Sequence, residues 1–180
     1  MNSKALRYST GTKILHWLIA IIVIAMLAVS FFLGDLPKQY KPTAFFVHKS
    51  FGLTVLFLMI IRLLWVSLTG KPNLPITVSF WQKALARSVQ FSLYLFLFAM
   101  PLSGWIMAVS ANKAPSFFGL FHANLPIEPN KTLAHLMNDL HTVFAWTLIA
   151  LILLHIAGGL KHYLIDKDRV LQSMLPERKP

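Results

Sequence analysis

Four of the seven histidines lie in or beside long apolar segments of the chain, where an ionisable side chain is rare and usually has a function. These four are His16, His48, His141 and His155. Imidazole is a common metal ligand and can also carry a proton near neutral pH. The sequence therefore points first to metal or proton chemistry inside its apolar part.

The spacing of these histidines predicts two paired sites at different depths. His141 and His155 lie on one predicted helix with about 21 Å of rise between them and about 40° short of whole turns, so both should face the same side. His16 opens the first apolar segment, and His48 opens the second, which runs back in the opposite direction. We therefore expect His16 to meet His155 and His48 to meet His141. Two imidazoles from facing helices are the axial ligand set of a haem.

The absence of cysteine narrows the choice of cofactor. It excludes an iron–sulfur cluster, a thiolate-bound metal and covalently attached c-type haem. A zinc site would need three or four donors at one depth, and the apolar segments contain no carboxylate. Two non-covalent haem b groups fit the pattern best. The alternative is a set of unrelated interfacial histidines in a small transporter or assembly factor without haem.

The composition predicts a membrane protein, because 56% of the residues are apolar and only 13% are charged. A helix of roughly 20 apolar residues is needed to cross a bilayer. Four segments meet that length, at about 14–33, 44–68, 89–109 and 142–160. We therefore predict an all-α membrane protein, with a four-transmembrane-helix bundle that forms a single domain over residues 1–180. The lipid bilayer is its first expected partner.

The distribution of positive charge predicts the orientation. Of the 17 lysines and arginines, those on the side of both termini are Lys4, Arg7, Lys13, Arg62, Lys71, Lys83, Arg87, Lys161, Lys167, Arg169, Arg178 and Lys179. The opposite side has Lys38, Lys41, Lys49, Lys113 and Lys131. The positive-inside rule then puts both termini in the cytoplasm. Because topology explains the net charge of +11, we expect no nucleic-acid partner.

Two cations lie where they could bind the carboxylates of a haem. Arg62 follows His48 on the same helical face and reaches the depth of His16, where its guanidinium could pair with a propionate. The alternative is an arginine that extends to the membrane interface. Lys49 could act in the same way beside His48, or stay exposed. Gly52 and Gly104 are small residues that would let helices approach closely or leave room for a flat ring.

With these residues in place, the chain resembles the bacterial-type cytochrome b561 family, which includes di-haem superoxide oxidases, over nearly its whole length. The motifs that carry the resemblance are Ile14-Leu15-His16-Trp17-Leu18, Val47-His48-Lys49-Ser50-Phe51-Gly52, Arg62-Leu63-Leu64, Ala99-Met100-Pro101-Leu102-Ser103-Gly104, Lys161-His162-Tyr163, Asp166-Lys167-Asp168-Arg169-Val170-Leu171 and Met174-Leu175-Pro176, together with His141 and His155. The resemblance implies a four-helix bundle with the same two ligand pairs, a quinone as electron partner and the bacterial inner membrane as location.

The resemblance also gives a role to His162, which lies where a family histidine is associated with the quinone region. Its imidazole would be the proton donor to the quinone; the alternative is a histidine that merely ends the helix. Two departures separate this chain from the superoxide oxidase pattern. Lys161-His162-Tyr163 stands in place of consecutive histidines, and Gln90 replaces a histidine of the third span.

The expected function is transmembrane electron transfer through two haem b groups, to or from ubiquinone, with superoxide as the donor suggested by the best-matching branch. The chain would then be an oxidoreductase of the superoxide oxidase or quinone reductase type, or an electron carrier alone. An alternative with the same haems is an anchor subunit that passes electrons from a hydrogenase or a formate dehydrogenase to quinone. The loop from Ser110 to His135 should fold over the outer haem, with His122 and His135 as loop residues.

Overall fold

The computed structural model describes residues 7–70 and 79–175, which form four long α-helices and two short elements. The elements are α1 (Thr10–Leu33), α2 (Lys41–Thr69), α3 (Phe80–Ser110), β1 (Ser116–Phe117), β2 (Phe121–His122), α4 (Lys131–Leu164) and a C-terminal 3₁₀ turn (Leu171–Ser173). Each of the four helices is long and apolar enough to cross a membrane. The predicted all-helical membrane fold is confirmed.

The helices extend beyond the apolar segments that predicted them, because capping side chains start them in the polar flanks. Ser79 caps α3 by accepting a hydrogen bond from the Gln82 amide. Asn130 caps α4 by accepting one from the Leu133 amide at 3.0 Å. His135, which we expected in a loop, is therefore helical. Most of the loop expected after Gly70 lies outside the described residues, as do Lys4, Lys71, Arg178 and Lys179 of the charge pattern.

The centre of the bundle is a dry layer of apolar side chains. Its buried members are Ile19, Val23 and Leu27 from α1 and Val55 and Met59 from α2. Partly buried residues of α3 and α4 pack against them. On α1 and α2 this layer follows His16 and His48, respectively, so it fills the depth between the two predicted histidine levels.

Helix α4 is the least enclosed of the four. Close packing joins α1 to α2, α2 to α3 and α3 to α4, whereas no comparable packing joins α4 to α1 or α2 within the described residues. Only 6% of the most apolar stretch of α4 is buried, against 17–22% in the other helices. Helix α4 therefore contacts α1 and α2 through side chains of the apolar layer, with its backbone farther from those helices than from α3.

A hairpin between α3 and α4 is fixed to the start of α2 through Ser50, which is fully buried. The Ser50 hydroxyl donates a hydrogen bond to the Ser116 carbonyl and accepts one from the Phe118 amide, at 3.0 and 3.1 Å. The turn residues Phe118 and Gly119 both have positive φ, as a tight hairpin turn requires. As expected, the loop folds back onto the bundle, and it does so beside His48.

At the opposite end, the first turn of α1 packs against the last turns of α2. The Trp65 indole donates a hydrogen bond to the Ser9 hydroxyl at 3.0 Å. A Cβ atom on Gly11 would lie only 2.5 Å from the Trp65 ring. The C-terminal segment closes the same end, since the Trp17 indole donates to the Met174 carbonyl at 3.0 Å.

The contact at Gly11 predicts an overpacking effect. We expect Gly11→Ala to lower the free energy of unfolding by about 1–3 kcal/mol, because the Trp65 ring must move to admit the methyl group. Denaturant unfolding in detergent micelles measures this change. Gly34→Ala is the matched control, because no atom lies within 4 Å of its added Cβ. Equal stability of the two variants would contradict the close packing at Gly11.

Candidate functional site

The structure brings His16 of α1 next to His155 of α4. Their ring centroids are 6.1 Å apart and their planes are inclined at 72°. These two residues lie near the end of the bundle that holds the start of α1 and the end of α4. We call this depth the His16 level.

His48 of α2 and His141 of α4 form a second pair near the other end. Their ring centroids are 6.4 Å apart and their planes are inclined at 73°. This depth is the His48 level. The two pairs are those that the spacing predicted, and they join α4 to α1 and α2 at two depths.

The ring separations suit a metal held between each pair. A metal-bound imidazole nitrogen lies about 2 Å from the metal, so two imidazoles on opposite sides of one ion have centroids roughly 6 Å apart. A direct hydrogen bond between two imidazoles is not recorded for either pair in the described part of the chain. At each depth, the metal donors that face each other from two helices of the described chain are both imidazoles. This donor set fits an iron bound by two histidines.

The ring of His141 is oriented by α3. Its Nδ1 lies 3.0 Å from the Met100 carbonyl and 3.1 Å from the Ser103 hydroxyl. Both partners can accept a hydrogen bond, so this environment favours the tautomer with its proton on Nδ1, which leaves Nε2 free to accept a hydrogen bond or a metal. Gly104 permits this approach, because a Cβ there would lie 3.0 Å from His141 Cε1. Ser103 and Met100 were not recognised as supporting residues from the sequence.

His16 is held differently. Its Nδ1 is buried and has no hydrogen-bond partner within the described residues. Its ring instead contacts the neighbouring Trp17 edge to face, with centroids 5.4 Å apart. Buried polar atoms are seldom left unpaired. At the His16 level one imidazole nitrogen thus lacks a hydrogen-bond partner in the described chain. Such an unpaired atom is expected at a site that a bound group completes.

Arg62 lies at the His16 level, as its spacing from His48 predicted. It is close enough to His16 and His155 to affect both electrostatically. Its guanidinium carbon is 5.4 Å from the centre of the Tyr94 ring, and its Nε is buried without a hydrogen-bond partner in the described chain. Tyr94 was missed by sequence reasoning, because a tyrosine in an aromatic-rich span carries no distinguishing pattern.

Tyr8 approaches the same group from the segment before α1. Burial raises the pKa of its hydroxyl, and Tyr94 adds to this rise while Arg62 opposes it. The phenol therefore stays protonated at physiological pH and can donate a hydrogen bond. Two tyrosines and one guanidinium surround one edge of the His16 level.

Lys49 does not point freely into the His48 level. Its amine donates a hydrogen bond to the Lys113 carbonyl at 2.9 Å, which ties α2 to the segment after α3. Gly52 has only the Met26 methyl group near its missing side chain, at 3.9 Å, and Gly158 has no atom within 4 Å. These open surroundings leave space for a flat ring, which is the second of the two roles considered for the small residues.

His162 is paired with an acid that sequence reasoning did not select. Its Nδ1 lies 2.7 Å from Asp168 Oδ2 and 3.3 Å from Asp166 Oδ2. The other Asp168 oxygen accepts a hydrogen bond from the Val170 amide at 2.9 Å. Lys161 donates to both oxygens of Asp166. Asp168 is thus the carboxylate that fixes the His162 ring, and the turn after α4 that brings it back has no strong sequence signal.

The remaining two histidines, which were not expected to act as ligands, lie apart from these pairs. His122 belongs to β2 and His135 to α4, and both are exposed. His135 lines an open cleft of about 310 Å³ together with Lys131 and Asn138 of α4, Met107 of α3 and Ala111, which follows α3. This cleft lies on the end of the bundle that is nearest the His48 level.

Comparison of the sequence with known proteins identifies the family of this chain. The sequence profile of prokaryotic cytochrome b561 matches residues 7–177. Cytochrome b561 homolog 2 of Escherichia coli K12 is 32% identical, over 94% of this chain and 91% of the relative. Homolog 1 of the same organism is 29% identical, over 96% and 99%. The probable superoxide oxidase CybB of Yersinia pestis is 28% identical, over 96% and 98%.

These matches span all four helices and both histidine pairs. They confirm the family that the motifs suggested, and that family implies haem b binding and electron transfer within a bacterial membrane. With its four apolar helices, this chain is a multi-pass cytochrome of that kind, and it belongs to the prokaryotic cytochrome b561 family.

Proposed function

We propose that this chain binds two haem b groups and carries electrons across the bacterial inner membrane, with both termini in the cytoplasm. His16 and His155 would ligate one iron, and His48 and His141 the other. The observation that carries this proposal is the pair of imidazole contacts, both about 6 Å between centroids, at two depths of one bundle. Arg62 would hold a carboxylate of the haem at the His16 level. Lys49 would serve the other haem by fixing the adjacent loop.

Haem bound between two imidazoles supplies a one-electron iron couple with no open coordination position. The protein residues therefore act by holding the ligands, excluding water and tuning the reduction potential. Met100 and Ser103 orient His141. The dry layer around Met59 keeps polar groups and water out of the depth between the levels.

We further propose that ubiquinone exchanges electrons at the end that holds His162. A quinone takes up protons as it is reduced, and imidazole is the side chain best suited to supply one near neutral pH. Asp168 accepts a hydrogen bond from Nδ1 of His162, which leaves Nε2 to face the substrate. The C-terminal turn that supplies Asp168 lies on the same end as the His16 level, near enough for the electron and the proton to meet.

Superoxide is the proposed electron donor, at the opposite end. Its negative charge would be attracted by Lys49 and Lys113, which lie beside each other next to the His48 level, and by Lys131 in the cleft. A positive surface raises the association rate of an anion. Support also comes from the probable superoxide oxidase among the relatives, at 28% identity.

The two-haem assignment predicts a specific loss of absorbance. Purified protein should contain two haem b groups per chain. His155→Ala or His141→Ala should each remove about half of the reduced-minus-oxidised signal, because each breaks one ligand pair. His135→Ala, an exposed residue of the same helix, is the control and should keep the full signal. One haem per chain, or an unchanged spectrum after either ligand substitution, would refute the assignment.

The pairing of His162 with Asp168 predicts a defect at the quinone step alone. We expect His162→Ala to slow quinone reduction on the order of a hundredfold while both haem spectra stay intact. Asp168→Asn should slow quinone reduction less. The asparagine side chain can still hydrogen-bond the Val170 backbone N–H or the His162 imidazole, but without a negative charge it cannot stabilise a protonated His162. Stopped-flow spectroscopy with a soluble ubiquinone measures both rates. An unaffected rate in His162→Ala would remove this residue from the mechanism.

Attraction of superoxide predicts a dependence on salt. The rate of haem reduction by superoxide should fall as ionic strength rises through physiological values, where the Debye length is about 8 Å. Lys131→Gln should lower this rate about twofold at low salt. This is the order of effect that one unit charge exerts on an anion about 10 Å away in water. Rapid mixing at several salt concentrations tests this, with Lys167→Gln near the other end as control. A rate that does not vary with salt would argue against a steered anion.

A further inference from the structure

Two positive side chains at one end of the bundle, one buried and one half-buried, have no carboxylate partner among the described residues. Lys13 of α1 is only 8% exposed, and no hydrogen bond or ion pair of its amine is recorded in the described chain. Arg62 of α2 has a buried Nε with no hydrogen-bond partner there and contacts the face of the Tyr94 ring. Burying a charge is costly unless an opposite charge or several hydrogen bonds compensate.

The acids of the described chain do not supply that compensation. They are Asp35, Glu128, Asp139, Asp166 and Asp168. The first three lie toward the His48 end, beyond α1 or in the first turns of α4 and the segment before it. Asp166 is bound by Lys161, and Asp168 by His162. Neither cation forms an ion pair with any of the five.

Lys13 and Arg62 belong to the same level. Lys13 precedes His16 by three residues, so the two side chains lie on one face of α1. Arg62 is close to both His16 and His155. The first turn of α1 and the last turns of α2 are in contact through Trp65. Lys13 and Arg62 thus belong to adjacent helices at the depth of the His16 level, with Lys13 one turn nearer the end of the bundle.

A haem b group carries two propionate carboxylates, and these two cations, which have no acidic partner in the described chain, match that charge. We propose that Lys13 and Arg62 together hold the two propionates of the haem at the His16 level, and that their charge gives this haem the higher reduction potential of the two. This inference rests on the proposed two-haem function. It adds Lys13 to the cofactor site and predicts where a single electron resides.

The two lysines beside the His48 level, Lys49 and Lys113, are less enclosed than Lys13. Lys49 is committed to the Lys113 carbonyl, and within the described chain no lysine or arginine other than Lys13 is as fully buried. Reduction adds negative charge to a haem, so nearby positive charge favours the reduced state, most strongly in a medium of low dielectric constant. An electron that enters at the His48 level is therefore expected to settle at the His16 level.

Redox titration of the purified two-haem protein tests this inference. Lys13→Met and Arg62→Met keep the length and apolar character of the side chain but remove the charge. We expect each to lower the midpoint potential of the higher-potential haem and to leave the other haem unchanged, with a larger shift in the double variant. Arg87→Met, an exposed arginine near the same end of the bundle, is the control and should shift neither.

The assignment to one level can be made in the His141→Ala background, where the remaining haem is that of the His16 level. Lys13→Arg should retain the wild-type potential, which separates loss of charge from loss of packing. If two haems bind and neither potential moves in Lys13→Met, Lys13 extends to lipid phosphates and the inference is wrong. If fewer than two haems bind to the wild-type chain, the proposed function itself fails.

Discussion

An imidazole inside an apolar bundle needs a partner for its polar atoms. In this protein four such imidazoles lie in two pairs, and each pair joins α4 to another helix. The rings of His16 and His48 reach across to α4, which provides His155 and His141 as their counterparts. Helix α4 packs most closely on α3 and meets α1 and α2 through the apolar layer and the two histidine pairs. The two imidazole pairs are therefore part of what joins α4 to the other side of the bundle.

The sequence was sufficient to predict the four helices and the way the histidines pair. Both predictions rest on periodic physical quantities, namely apolar length against bilayer thickness and helical rise between residues such as His141 and His155. Helix ends were predicted less well. An apolar segment marks the part of a helix that suits lipid, whereas Ser79 and Asn130 begin their helices in polar flanks that such a segment does not include.

The residues that support the site could not be predicted from the sequence, because their roles depend on which separate segments come into contact. Asp168 reaches His162 only because the chain reverses after α4, where Lys167 adopts a positive φ that its type does not favour. Ser50 holds a hairpin that lies far along the chain. In the sequence Lys13 is an ordinary lysine beside an apolar segment, and only the fold shows that it is buried. In each case the residue type is common and its neighbours in space decide its role.

The hydrogen bonds that His141 Nδ1 donates to the Met100 carbonyl and the Ser103 hydroxyl bear on how a cofactor would be incorporated. At the His48 level the ring of His141 is already oriented by α3, so it would lose little rotational freedom on binding a metal. At the His16 level the Nδ1 of His16 has no such restraint within the described chain. If the two pairs bind haem as proposed, this difference favours binding at the His48 level before the His16 level.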